Sequence, residues 1–252
     1  MVPRTPPTPA AREGKRLGRI LLLRSGAEPL PPEALGDDVD VLVTHDIVPV
    51  PDGIRRAQAF EPKGARLIIS SKTTVRVLVE AGAGGLFREP FVEQLAAGEE
   101  TARAMERAGS RDVKVGGAPG AAGILDLLAE SGSFERFLWP RGSDADEAPV
   151  EDLCAYGADV SAPVVYRKEP RPPEASILEK LRARAYTAVA VSSVATLDHF
   201  LASAAQHGVS LPAGLRWAAI GPGTARAFES RGLPLPDVPA RPRLADLIQM
   251  LR

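Results

Sequence analysis

The sequence predicts an α/β fold made of two related domains with parallel sheets. Short, almost wholly apolar segments alternate with amphipathic segments of 10–15 residues, which is typical of parallel strands covered by helices on both faces. In addition, the phrase Gly-x-x-Thr-Ala-Arg-Ala occurs twice, at residues 98–104 and 221–227. A phrase that recurs in the same structural context indicates an internal duplication.

The predicted elements follow in order along the chain. Residues 1–16 are Pro-rich and basic, with too few large apolar residues to offset the cost of ordering, and we expect a disordered tail there. The predicted strands are 19–24, 39–46, 66–71, 92–98, 113–117, 136–142, 160–170, 187–193 and 215–221. The predicted helices are 75–82, 100–109, 120–130, 147–157, 194–208, the segment after Thr224, and 243–252.

The duplication extends beyond the repeated phrase and predicts the domain boundaries. Ser70-Ser71 and Ser192-Ser193 end equivalent strands, and the Gly-x-x-Thr phrase follows each pair at almost the same separation. Pro-rich extended segments mark two crossings between the copies. We therefore predict one discontinuous domain, an inserted domain, a two-stranded linker and a cleft between the domains. The boundaries are 17–49 plus 167–252, then 53–163, with linkers near 49–53 and 163–167.

Composition excludes several classes of protein. The 252 residues are 44% hydrophobic with a formal net charge of −1, which argues against a nucleic-acid or membrane-surface protein. The single cysteine, Cys154, precludes an internal disulfide and is predicted to be a small core residue. No apolar run reaches the length of a membrane span. We expect a cytoplasmic protein.

The ends of the predicted strands form the candidate binding site. Open α/β sheets bind ligands at the carboxyl ends of their strands, and helix N-termini there present N–H groups that suit carboxylate or phosphate. The alternative interpretation is local: Thr101 and Thr224 would be helix N-caps, and the paired serines would be caps as well. Recurrence at four equivalent strand ends favours binding. Nearby cations are Arg24, Lys72, Arg141 and Arg216.

Other catalytic motifs fail on inspection. The GPG sequence at residues 221–223 lacks the third glycine and the acidic partner of a dinucleotide site, and no phosphate-loop motif occurs. His45, His199 and His207 fall in unrelated elements without metal-ligand spacing, so no metal site is predicted. No Ser-His-Asp or Cys-His set can be assembled.

The ordered set of motifs resembles the uroporphyrinogen-III synthase family. LIISSKTTV, AAGEETARAMERAG, WPRGSDADEAPVEDLCAYGADVSAPVVYR, AAIGPGTARAFESRGL and LADLIQML occur in the family's order, from about residue 17 to the end. Two departures concern the first copy. The segment after Arg24 is short and Pro-rich where the family has a longer helix, and the first strand ends Ser-Ser-Lys instead of Thr-Ser-Pro.

The resemblance implies a fold, an activity and site residues. It implies two HemD-like (flavodoxin/Rossmann-like) domains and a cyclising hydro-lyase of heme biosynthesis that uses no metal or cofactor. Such an enzyme converts hydroxymethylbilane to uroporphyrinogen III, losing water and inverting ring D through a spiro intermediate. By resemblance, Tyr166 assists departure of the hydroxyl group. The residues expected to bind substrate are Arg24, Ser70, Ser71, Lys72, Gly98, Thr101, Arg141, Gly142, Ser192, Ser193, Val194, Arg216, Gly221, Pro222, Gly223 and Thr224.

Expected partners and one alternative function complete the predictions. We expect a monomer that binds hydroxymethylbilane, contacts the preceding pathway enzyme transiently, and binds neither nucleic acid nor membrane. The alternative is a two-lobed cytoplasmic small-molecule-binding or sensor protein without catalysis, since duplicated α/β domains around a cleft also serve that role.

Overall fold

The computed structural model describes residues 18–26, 35–116, 123–125, 128 and 136–252. The predicted tail at 1–16 and most of the predicted helix at 120–130 lie outside the described residues. The chain divides into two compact units. Among the described residues, unit 1 contains 18–24, 35–43 and 172–252, and unit 2 contains 25–26, 44–116, 123–125, 128 and 136–171.

Strands and helices alternate through the described part of both units. The strands are β1 (Arg19–Ser25), β2 (Val39–Pro49), β3 (Ala65–Ile69), β4 (Glu93–Ala96), β5 (Val113–Val115), β6 (Arg136–Leu138), β7 (Arg141–Gly142), β8 (Asp159–Ser161), β9 (Val164–Pro170), β10 (Tyr186–Val191) and β11 (Arg216–Ala219). The helices are α1 (Pro51–Gln58), α2 (Lys72–Glu80), α3 (Glu99–Ala108), α4 (Ala148–Ala155), α5 (Ala175–Arg182), α6 (Val194–Gln206), α7 (Pro222–Glu229) and α8 (Leu244–Leu251).

Unit 1 contains a sheet in the order β11-β10-β1-β2, and both neighbours of β10 run parallel to it. Successive side chains of β1 face opposite sides of the sheet, so each side has its own core. Leu21 packs with Phe200 of α6 and Phe228 of α7 on one side. Leu22 packs with Leu247 of α8 on the other. Helices therefore cover both faces of a parallel sheet, as predicted.

Unit 2 contains an all-parallel sheet in the order β5-β4-β3-β6-β8. Ile69 of β3 packs with Leu78 of α2 and Met105 of α3. Its neighbour Ile68 faces the other side and packs with Leu153 of α4. This unit has the same construction as unit 1, which confirms the predicted α/β class.

The order of elements repeats between the units. In unit 2, β4 lies beside β3 and pairs with β5. In unit 1, β11 lies beside β10, and Ala218 of β11 pairs in parallel with Asp237 at the position that corresponds to β5. β6 flanks β3 as β1 flanks β10. The duplication read from the repeated phrase is therefore a duplication of structure.

An antiparallel ribbon distinguishes unit 2. Residues 45–49 of β2 pair with residues 166–170 of β9, and β9 pairs in parallel with β7. The chain enters unit 2 after Val43 and leaves it after Arg171. These boundaries lie before the expected linker near 49–53 and after the one near 163–167, so that both strands of the ribbon belong to unit 2. The two-stranded linker and the cleft stay predictions.

Some local expectations were wrong. The expected strand at 136–142 is two strands, β6 and β7, interrupted at Trp139 and Pro140. Helices α1 and α5 were not predicted, because the first begins inside a Pro-rich segment and the second follows one. Cys154 is exposed on α4 and does not belong to the core.

A partly buried ion cluster connects the amino ends of three neighbouring strands in unit 1. Asp40 accepts hydrogen bonds from Arg19 Nε at 2.9 Å, Lys180 Nζ at 2.9 Å and Tyr186 Oη at 2.8 Å. The Arg19 guanidinium is the largest cause that holds the pKa of Asp40 well below its usual range. Burial, reinforced by Asp40, raises the pKa of Tyr186. The carboxylate therefore ties β1, β2, β10 and α5 together while it is ionised.

We predict that Asp40→Asn lowers the free energy of unfolding by about 2 kcal/mol at pH 7, the typical value of hydrogen bonds to a charged group. Because the folded-state pKa of Asp40 is depressed, its stabilisation is present above the unfolded pKa of about 4 and is lost as pH falls through the folded value. Urea unfolding at several pH values checks this, with exposed Asp37→Asn as control. A difference that does not shrink below about pH 4 would contradict the prediction.

Candidate active site

In unit 1, two neighbouring strands end in turns that lead directly into helices. Ser193 follows β10 and is the N-cap of α6, where its Oγ accepts from Thr196 N at 3.2 Å. The Thr196 hydroxyl accepts from Ser193 N at 3.1 Å, which completes a capping box. The capping interpretation is therefore confirmed for Ser193. Ser192, one residue earlier, anchors the turn through its backbone N–H, which donates to Leu23 O at 3.3 Å.

The adjacent strand end differs because its helix has no side-chain cap. Gly221 is the N-cap of α7, Pro222 and Gly223 are the next residues, and no cap hydrogen bond from a side chain occurs within the described chain. The alternative interpretation, that Thr224 is the N-cap, is therefore wrong. Thr224 is the third helical residue and is 8% exposed. Exposed, uncharged Pro222 and Gly223 leave the amino end of α7 open to an anion.

The equivalent pair in unit 2 begins at Ser71 and Gly98. Ser71 is the N-cap of α2, and its Oγ accepts from Thr73 N at 3.1 Å. Gly98 is the N-cap of α3, so Thr101 is not a cap but the buried third residue, with its N–H bonded to Gly98 O at 3.0 Å. Glu99 and Glu100 are exposed in that first turn. Their charges oppose an anion at α3, in contrast to α7.

One feature common to all four helices escaped sequence reasoning. Each begins at Ser or Gly in extended backbone and has a buried threonine as its third residue. The four threonines are Thr74 and Thr196, fully buried, Thr101 at 7% exposure and Thr224 at 8%. The sequence contains a signal for this feature, because Ser-x-x-Thr has the same spacing as Gly-x-x-Thr. Only the Gly-x-x-Thr phrase was interpreted as a repeat.

Tyr166 lies on β9 in unit 2, with 4% of its surface exposed. Its phenol lies across Gly142 of β7, with which it pairs in the sheet. Burial is the largest cause that raises the pKa of Tyr166, and Asp144 adds to the rise. A hydrogen bond with Ser71 and the charge of Arg76 act in the opposite direction. The phenol is therefore protonated at neutral pH and lies next to the first turn of α2.

Thr74 lies at the same place. Its side chain is fully buried, and its hydroxyl acts on the Tyr166 phenol to lower the pKa of that group.

A further residue at this strand end was not predicted. Trp139 is 3% exposed, and its Nε1 donates to Ser70 Oγ at 3.4 Å, which connects the end of β6 to the end of β3. Its signal in the sequence was the Trp-Pro-Arg-Gly stretch, of which only the arginine and glycine were selected.

Two of the four expected cations have other roles. Arg216 lies at the amino end of β11, where it donates to Leu251 O at 3.3 Å and pairs with Asp237 at 3.5 Å. Arg216 therefore lies at the opposite end of β11 from the turn at Gly221, and not at the carboxyl ends of the strands as predicted. Arg141 is 5% exposed, and its guanidinium donates to Asp146 O at 3.1 Å and to the Glu147 carboxylate. It holds the loop after β7 instead of presenting a free charge.

The other two cations remain at strand ends. Arg24 is buried at the end of β1, and Lys72 is exposed as the first residue of α2. Within the described ranges no cluster of three His, Cys, Asp or Glu side chains has the geometry of a metal site. No helix in the described part of the chain is long and apolar enough to cross a membrane.

Solved structures with a similar fold include three from two bacteria. A mutant uroporphyrinogen III synthase from the extremely thermophilic bacterium Thermus thermophilus is 21% identical, with 92% of this chain and 96% of that chain covered and a TM-score of 0.66. The wild-type enzyme has 22% identity, the same coverage and a TM-score of 0.53. The uroporphyrinogen-III synthetase from Helicobacter pylori has 17% identity, 92% and 97% coverage and a TM-score of 0.57. No curated protein matches the sequence.

The duplicated parallel sheets and their strand-end helices define an α/β protein of the HemD type, whose solved examples are similar over 92% of this chain. The model of one family, uroporphyrinogen-III synthase HemD, matches residues 31–249. The chain belongs to the uroporphyrinogen-III synthase family. The family predicted by resemblance is thus confirmed, as are the fold class and the assignment to the cyclising lyases of tetrapyrrole biosynthesis.

Adjacent serines give a matched test of the capping geometry. We predict that Ser193→Ala lowers the free energy of unfolding by about 1 kcal/mol, because it removes the side-chain acceptor of the capping box. Ser192→Ala, one residue away, is expected to leave stability within about 0.5 kcal/mol of wild type. Chemical denaturation of both variants measures the difference. Equal losses would show that the turn, and not the cap, is what the serines stabilise.

Proposed function

We propose that this protein converts hydroxymethylbilane into uroporphyrinogen III and that Tyr166 and the strand-end helices carry out the reaction. Family membership supports the reaction itself. The observation that carries the site assignment is the Tyr166 phenol, buried and protonated, beside the first turn of α2. An acid of this kind suits a reaction that begins with loss of a hydroxyl group.

Helix amino ends are proposed to bind the carboxylates of the substrate. Hydroxymethylbilane is a flexible linear tetrapyrrole with eight carboxylates, so a site for it needs several anion-binding positions. In unit 1, Ser192, Val194 and the Gly221–Thr224 turn offer them at α6 and α7. In unit 2, Ser70, Ser71 and Lys72 offer them at α2. Gly98 and Thr101 are weaker candidates, because Glu99 and Glu100 share their turn.

The proposed chemistry begins with proton donation by Tyr166. As the pyrrole nitrogen lone pair expels the hydroxyl group, the phenol gives it a proton, and water leaves. The substituted α-carbon of ring D attacks the methylene carbon of the resulting cation and forms the spiro intermediate. The bond between that α-carbon and the methylene carbon of ring C then breaks, and the free α-carbon of ring D bonds the released methylene carbon. Loss of the proton from this α-carbon restores the pyrrole and returns a proton to the phenolate. The amino end of α2 and the Ser71 hydroxyl stabilise the transient phenolate.

The remaining role of the protein is conformational. Free hydroxymethylbilane closes on its own to the type I isomer, so the enzyme must hold a geometry that favours attack by the substituted carbon. Because free hydroxymethylbilane is unstable, rapid transfer from the preceding enzyme is favourable, and we propose that this protein contacts that enzyme transiently. We also propose that it is cytoplasmic and monomeric. The steps are loss of water, formation and cleavage of carbon–carbon bonds, and proton transfer; the sequence has no net oxidation or reduction, so we propose that it needs no cofactor.

We predict that the purified protein, added to freshly prepared hydroxymethylbilane, yields uroporphyrinogen III. Oxidation to the porphyrin followed by chromatographic separation of the isomers gives the measurement, and buffer alone supplies the type I reference. A sensor that binds without catalysis would leave only type I product. That result would reject the proposed activity.

We predict that Tyr166→Phe lowers kcat at least about tenfold and leaves KM within about twofold, because it removes a proton donor and not a carboxylate contact. The benzene ring preserves the packing in unit 2, so thermal unfolding should change little. Exposed Tyr156→Phe is the matched control. Wild-type turnover in Tyr166→Phe would exclude the phenol as the acid.

A further inference from the structure

The space occupied by the Tyr166 ring exists because residue 142 has no side chain. A Cβ added to Gly142 would lie 2.6 Å from Tyr166 Cζ, 2.8 Å from Cε2 and 2.8 Å from Oη. Non-bonded carbon atoms have their optimal separation at about 3.5–4.0 Å. The phenol and a side chain at position 142 therefore compete for the same volume.

Backbone conformation does not explain this glycine. Gly142 is not among the residues with positive φ. Any residue can adopt its backbone geometry, so the requirement for glycine arises from the tyrosine and not from the turn.

Hydrogen bonds fix the backbone of both partners. Gly142 and Tyr166 are paired in the sheet, and Ser143 N donates to Tyr166 O at 2.9 Å just beyond them. Arg141 N donates to Pro163 O at 3.0 Å, and the Arg141 side chain holds the loop at residues 145–147. On the α2 side, the ring belongs to the same core cluster as Val75.

We propose that Gly142 is a positioning residue that leaves a slot for the Tyr166 phenol and thereby holds its hydroxyl at the amino end of α2. This inference rests on the proposed role of Tyr166 and revises the expectation that Gly142 contacts substrate. Any larger residue displaces the ring, so the hydroxyl loses its place beside Ser71. The consequence for the reaction is loss of the acid without loss of the carboxylate-binding positions.

A stability cycle tests the slot without reference to activity. Gly142→Ala is made in the wild type and in Tyr166→Ala, and the midpoint of thermal unfolding is measured for all four proteins. We expect Gly142→Ala to lower the midpoint by about 3–8 °C when the ring is present and by less than about 2 °C when it is absent. Gly85→Ala is the control, because an added Cβ there meets no described atom within 4 Å.

Each outcome of this cycle decides the packing claim. Failure of Gly142→Ala to fold while the double variant folds supports the slot. Equal losses in both backgrounds, failure of both to fold, or no loss in either overturns it.

A kinetic cycle tests the positioning role. Gly142→Ala is expected to lower kcat about tenfold to a hundredfold with little change in KM, since small misplacements of a reacting group have effects of this size. In Tyr166→Phe, the same substitution is expected to lower kcat no further. Multiplicative losses, or wild-type kcat in Gly142→Ala when Tyr166→Phe is impaired, overturn the inference.

An absorbance measurement separates this inference from the proposed function. The difference spectrum near 295 nm between each protein and its Tyr166→Phe counterpart reports ionisation of Tyr166. Because burial raises the pKa of Tyr166, displacement of the ring should let it ionise at lower pH in Gly142→Ala. An unshifted titration overturns the inference. Wild-type turnover in Tyr166→Phe with a shifted titration overturns the chemical role of Tyr166 and leaves the slot in place.

Discussion

The turn from strand to helix is the constraint on which the rest of the structure depends. At four strand ends the chain passes through an extended Ser or Gly, and three residues later a threonine is buried beneath the new helix. The glycine caps of α3 and α7 make no side-chain hydrogen bond to the first turn, whereas Ser71 and Ser193 each accept from one of its N–H groups. Such a turn presents fixed dipoles to a ligand without needing a charged side chain.

The turns occur in pairs, one pair in each unit, and the first residues of their helices differ in charge and size. α7 begins with Pro222 and Gly223, which leave its amino end open, whereas α3 begins with two glutamates. Unit 2 alone, within the described chain, adds the ribbon that places Tyr166 beside α2. A duplicated order of elements thus carries strand-end turns of unlike charge and composition.

The sequence predicted most of the scaffold and less of the site. Apolar runs and the repeated phrase predicted parallel sheets because buried strands and small-residue turns have strong local signatures. Helices α1 and α5 were missed because prolines obscure their apolar spacing. Exposed Arg216 bonds the distant carbonyl of Leu251, and buried Arg141 bonds the loop that follows it; neither contact has a signature in the apolar pattern of the sequence. Thr74 and Trp139 differ from the arginines, because they lie in local patterns, Ser-x-x-Thr and Trp-Pro-Arg-Gly, that the sequence does contain.

The central claim is that the amino ends of these helices bind an anionic tetrapyrrole, and hydrogen exchange of their amides tests it most directly. Exchange is followed by mass spectrometry with and without uroporphyrinogen III kept reduced. The account predicts slower exchange in the first turns of α6, α7 and α2, and no change in the first turn of α8, which lacks the Ser/Gly-x-x-Thr turn. Protection that spares the amides of Gly223 and Thr224, or that is equal at α8, would contradict it.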